Sequence, residues 1–115
     1  MDITNKLKTI YNSLDDKKAI DIKIIDIRDV SILADYLVIA GGSNKNQVQA
    51  LVDSVEEELA KEQVFTKHVE GYQTANWILL DYSDIIVHVF NQEDRLFYDL
   101  ERLWQDGKTI EIENL

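Results

Sequence analysis

The sequence predicts one α/β domain with a mixed sheet of about five strands and flanking helices, in the order αββαβββα. Three observations carry that expectation. Apolar residues recur at helical spacing over 3–14, 44–61 and 92–104. Two apolar runs, 77–82 and 85–90, are separated only by Ser83 and Asp84, which should join them as a tight antiparallel hairpin. The strand–helix–strand succession over 35–70 requires a crossover, right-handed by the general rule. A crossover beside hairpin joins makes the sheet mixed.

Each element has its own signal. In the first helix Ile3, Leu7, Ile10, Tyr11 and Leu14 make one stripe, and the run from Asp15 to Lys18 is a solvated break. Residues 19–28 read as a strand: Ile20, Ile22 and Ile24 alternate with Asp21 and Lys23. At Ile24-Ile25 the phase slips to the other parity, so a bulge or twist is expected there. Residues 35–41 are more continuously apolar, which suggests a strand covered on both faces. Gly41-Gly42 ends that strand, and Ser43 or Asn44 caps the next helix, with Gln47 in a loose capping-box position. Val48, Leu51, Val52, Val55 and Leu59 form that helix's inner face, and the run Glu56-Glu57-Glu58 lies toward its outer face. Residues 64–70 make a short strand, followed by the hairpin. The last helix carries Leu96, Phe97, Leu100, Leu103 and Trp104. A single domain is expected over 1–107 and a short tail over 108–115, where Ile110 and Ile112 either add an edge strand or fray.

Composition narrows the function. The chain has 115 residues and a formal charge of −10, from 22 acidic and 12 basic side chains. An apolar content of 45% is enough to build a core, so the acidity does not signal disorder. Phosphate backbones are gripped by Lys and Arg, so nucleic acid is a poor partner, and an anionic membrane surface should repel the chain. A basic protein is the easier partner. The chain has no cysteine, which excludes disulfides, thiolate metal sites and thiol nucleophiles and fits a reducing cytoplasm. The first residues lack a basic region and an apolar run, so no secretory leader is expected. No apolar stretch approaches the roughly 20 residues that span a bilayer.

Few residues suggest catalysis. Gly41-Gly42-Ser43 resembles the turn that opens nucleotidyltransferase sites, yet the next strand lacks the carboxylate pair that would hold Mg²⁺ there. Small residues are also what any tight strand-to-helix turn needs. Asp81 and Asp84 flank the hairpin turn, where local hydrogen bonding is the ordinary use of aspartate. His68 and His88 have no metal spacing, and His88 reads as a satisfied interior or cross-strand residue. Binding has a stronger signal. Tyr72, Trp77, Tyr82, Arg95, Tyr98, Arg102 and Trp104 concentrate in the second half, and such residues anchor protein interfaces. Both parities of 77–82 are apolar: the strand is either buried on both sides or has one face under helices and one offered to a partner. Tyr98 and Arg102 lie off the last helix's apolar stripe.

Several blocks resemble one family in order and spacing: Ala34-Asp35-Tyr36-Leu37-Val38-Ile39, Gln47-Val48, Glu70-Gly71, the hairpin from Trp77 through Phe90, and the segment from Arg95 through Trp104. Together they look like the Iojap-like ribosomal silencing factors. That resemblance implies a fold related to nucleotidyltransferases in a protein that is not an enzyme and needs no cofactor. It implies binding to the large ribosomal subunit through its fourteenth ribosomal protein, steric block of subunit joining when nutrients are short, and a homodimer when free. It also implies a partner contact at Trp77, Leu79, Leu80, Tyr82, Asp84, Tyr98 and Arg102. The family usually has Gly where Ser83 stands and often Ala at Gly107. Ser enters positive φ reluctantly, so the hairpin turn could be of another type. Two other readings stay open at this level: a large-subunit assembly factor, and a small nucleotide-binding enzyme built on Gly41, Gly42 and Ser43.

Overall fold

The computed structural model describes residues 1–92 and 106–115, so the third expected helix, with Tyr98 and Arg102, lies outside the described residues. The first helix, α1 (Ile3–Asp16), starts at Asp2, whose carboxylate accepts the Asn5 N–H at 2.8 Å. Two strands follow, β1 (Ile20–Asp26) and β2 (Tyr36–Gly42), and then α2 (Lys45–Ala60). The chain continues through β3 (His68–Glu70), β4 (Trp77–Asp81), β5 (Ile85–Asn91) and β6 (Lys108–Ile110), with a 3₁₀ turn at Ile112–Asn114.

The strands form one six-stranded mixed sheet in the order β3-β4-β5-β2-β1-β6. Only β2 and β5 pair in parallel; the other neighbours are antiparallel. The expected crossover is therefore longer than a simple βαβ unit. β2 and β3 point the same way, but β5 and β4 lie between them. Among the described residues the sheet has six strands rather than about five, because residues 108–110 pair with β1. The strand expected over 64–70 shortens to its last three residues, His68–Glu70.

Alternation sorts the core into two clusters. Leu7, Ile10 and Leu14 of α1 and Val48, Leu51, Val52, Val55 and Leu59 of α2 pack on one sheet face. They meet Ile24, Val38, Ala40, Ile78, Leu80, Val87 and Val89 there. Ile25, Ile27, Ala34, Leu37, Ile39 and Phe90 form a second cluster, whose strand residues have the opposite parity. Every residue of β2 is buried, as its unbroken apolar run predicts. The phase slip at Ile24-Ile25 is the sheet serving both clusters. The register irregularity itself lies earlier, between Ile20 and Lys23, where Asp21 takes φ +50°.

The Gly-Gly turn is shaped by packing. A Cβ on Gly42 would lie 2.8 Å from Val48 Cγ2, so the strand end and the helix start approach too closely for a side chain. Asn44 caps α2, accepting the Gln47 N–H at 2.9 Å, while Gln47 Oε1 accepts from the Ser43 hydroxyl at 2.6 Å. Gly42, Ser43, Asn44 and Gln47 are thus occupied in ending β2 and starting α2.

Candidate partner-binding face

The hairpin sets the geometry of the site. Ser83 holds φ +74°, the conformation a two-residue turn needs, and Asp81 Oδ1 accepts its N–H at 2.8 Å. The Ser83 substitution therefore leaves the positive-φ turn in place, supported by the aspartate before it. Tyr82 N–H donates to the Ile85 carbonyl at 2.9 Å and closes the loop. The register that follows sets Asp81 opposite Ile86, Leu79 opposite His88 and Trp77 opposite Phe90. These side chains share the sheet face away from α1 and α2.

Trp77 is the exposed member of this face, at 38%. Its indole stacks on Phe90 with centroids 5.4 Å apart, and the His88 ring lies beside it with centroids 5.6 Å apart and 28° between the planes. Trp77 Nε1–H donates to His88 Nδ1 at 2.8 Å. Leu79, half-buried, continues the face toward β3. There the exposed pair His68 and Glu70 is joined by a 2.8 Å contact between Nε2 and Oε1. The surface is thus an aromatic and aliphatic centre beside a polar edge.

The expected contact residues separate into three groups. Trp77 and Leu79 lie on this outer face. Leu80 and Tyr82 do not: they are buried at 0% and 6% exposure in the cluster beneath the helices, so the expectation of a direct contact is corrected for both. The cause is the pleat, which turns alternate residues inward along β4 and at Tyr82 just past its end. Asp84 faces α1, where its Oδ2 accepts from Lys6 Nζ at 3.0 Å, so its visible work is to tie the turn to the helix layer. Tyr98 and Arg102 lie outside the described residues.

Two features escaped the sequence reading. The first is the His88–Trp77 bond, although a two-residue turn already sets the register that brings the two together. The second is the loop between β1 and β2, where Val30, Ile32 and Leu33 are exposed.

Burial holds the His88 imidazolium in disfavour and lowers its pKa to about 4 from an ordinary 6.5. Below pH 6.5 the unfolded chain therefore takes up this proton before the folded one does. Stability from this group is complete above about 6.5 and is lost as pH falls toward 4. Between pH 7 and 5 the folded protein should lose about 2 kcal/mol more than a His88→Asn variant, as read by urea unfolding. Equal losses would show that His88 is not buried as a neutral ring.

Among the described residues, no group of three or more His, Asp or Glu side chains is placed to hold a metal ion, and no helix is long and apolar enough to cross a membrane. The fold and this face define a small mixed α/β domain that presents an aromatic strand at its surface. The family described as ribosomal silencing factor during starvation matches residues 1–115. A ribosomal silencing factor RsfS from Halalkalibacterium halodurans is 36% identical over 109 residues, covering 95% of this chain and 93% of that one. Another from Zymomonas mobilis is 41% identical over 101 residues, covering 88% and 76%. A crystal structure of a Bacillus halodurans protein matches with a TM-score of 0.85 at 34% identity, covering 93% of this chain and 97% of that one. One from Chromobacterium violaceum matches with a TM-score of 0.86 at 32% identity, covering 96% and 92%. The chain belongs to the ribosomal silencing factor family. The chloroplast protein Iojap of Zea mays, 29% identical over 96 residues, is a more distant and longer relative of which 41% is covered.

Proposed function

We propose that this protein represses translation by binding the large ribosomal subunit through its fourteenth ribosomal protein and obstructing the small subunit, chiefly when nutrients are short. The match of the silencing-factor family to residues 1–115 carries this reading. Occlusion needs bulk and affinity only, so the protein works without cofactor or catalysis. It acts in the cytoplasm, where subunits join, and is a homodimer when free.

Two physical features support the reading. Trp77, with Leu79 beside it, supplies the apolar anchor a protein contact needs. The charge of −10 suits a basic ribosomal protein and discourages stray binding to the surrounding RNA. Purified protein should therefore cosediment with isolated large subunits at low salt, and its association rate should fall several-fold between about 0.05 and 0.3 M salt. Failure to cosediment at low salt would overturn the reading. A salt-independent rate would confine the acidic charge to solubility.

A further inference from the structure

We infer that His88 is a positioning residue that holds the Trp77 indole in one orientation for docking, an inference that rests on the proposed role of Trp77 as the partner anchor. Trp77 opens β4, and the pairing of β4 with β3 stops at Leu79 opposite Glu70. Among the described strands Trp77 is thus paired only with Phe90 of β5, and the residue is 38% exposed. Stacking on Phe90 at an interplanar angle of 16° limits the tilt of the indole but leaves it able to slide or turn over in its own plane. The 2.8 Å bond from Nε1–H to His88 Nδ1 removes that freedom, because an indole has a single donor and it points one way.

The bond also settles the chemistry of the histidine. An indole N–H can only donate, so Nδ1 must be the unprotonated nitrogen and the proton of the neutral ring sits on Nε2. His88 itself is 6% exposed and offers little surface to a partner, so its influence on docking passes through Trp77. A surface tryptophan fixed before the encounter loses less freedom on binding, and that difference appears as affinity.

The test combines affinity for isolated large subunits with the ¹H–¹⁵N signal of the Trp77 indole, assigned by its loss in Trp77→Phe. In the wild type this N–H should exchange with D₂O about ten-fold or more slowly than a free indole. In His88→Leu the signal should move and exchange at the solvent rate, and affinity should fall about ten-fold. His88→Asn, whose amide oxygen can stand where Nδ1 stands, should restore most of both. An unprotected indole in the wild type overturns the inference without any variant, which covers the case of His88→Leu failing to fold. Wild-type affinity in a folded His88→Leu, where Trp77→Ala has lost binding, also overturns it. Wild-type affinity in Trp77→Ala overturns the contact reading itself and the docking role with it. The indole signal then still reports separately whether His88 fixes the ring.

Discussion

Trp77→Ala should fold and lose the ribosome. The residue is 38% exposed at the start of a strand, so removal of its side chain opens no sealed cavity, and a stability loss of about 1–2 kcal/mol is expected. With the indole as the proposed anchor of the contact, its loss should weaken binding to large subunits by about 30-fold or more, the scale of an interface hot spot. Leu80→Ala, three positions along the same strand, is the contrasting control. Leu80 has 0% exposure, and its truncation should cost about 2–5 kcal/mol of stability. Melting curves and subunit affinities measured on both variants separate the two faces of β4. If Trp77→Ala unfolds at ordinary temperature, the indole is part of the core and the proposed anchor is lost.

Gly71→Ala should be among the most damaging single-methyl changes in the chain. Gly71 has φ +80°, a region that side chains enter at a cost. A Cβ there would collide with the Trp77 carbonyl oxygen and lie 3.2 Å from its carbonyl carbon. Backbone cannot swing aside as a flexible side chain can, so the start of β4 must move. We expect a loss of about 3 kcal/mol or more in urea unfolding, from strain and clash together. Because the atoms that must move belong to Trp77, subunit affinity should fall as well, even where the variant remains folded. A loss below about 1 kcal/mol with unchanged affinity would contradict this account of the Gly71–Trp77 contact.

Much of the architecture is legible in sequence because burial repeats with a period. Leu7, Ile10 and Leu14, and Val48, Leu51, Val52, Val55 and Leu59, are spaced as helices require, and these residues are buried. The hairpin is legible because only Ser83 and Asp84 separate two strand-forming runs. The three residues of β6 are too few to show a period, and only their pairing with β1 reveals them. Strand order is a property of long-range pairing. Nothing local in β3 shows that two strands separate it from β2.

The candidate site was legible as a segment and not as a face. Trp77, Leu79, Leu80 and Tyr82 are all apolar or aromatic, so alternation in β4 carries no contrast between inside and outside. The contrast comes from the neighbours: α1 and α2 share their cluster with Ile78 and Leu80, and Phe90 and His88 hold Trp77 on the other side. Asp84 reads equally well from sequence as a surface acid. Its 3.0 Å partner, Lys6, is 78 positions away and becomes visible only when α1 is placed over the turn.

The proposed silencing works by occupation of the large subunit. The most direct measurement is light scattering of purified large and small subunits mixed with and without saturating protein. Wild-type protein should suppress joining, while Trp77→Ala at the same concentration should leave it close to the unblocked rate. Joining at the normal rate with the wild-type protein bound would contradict the claim.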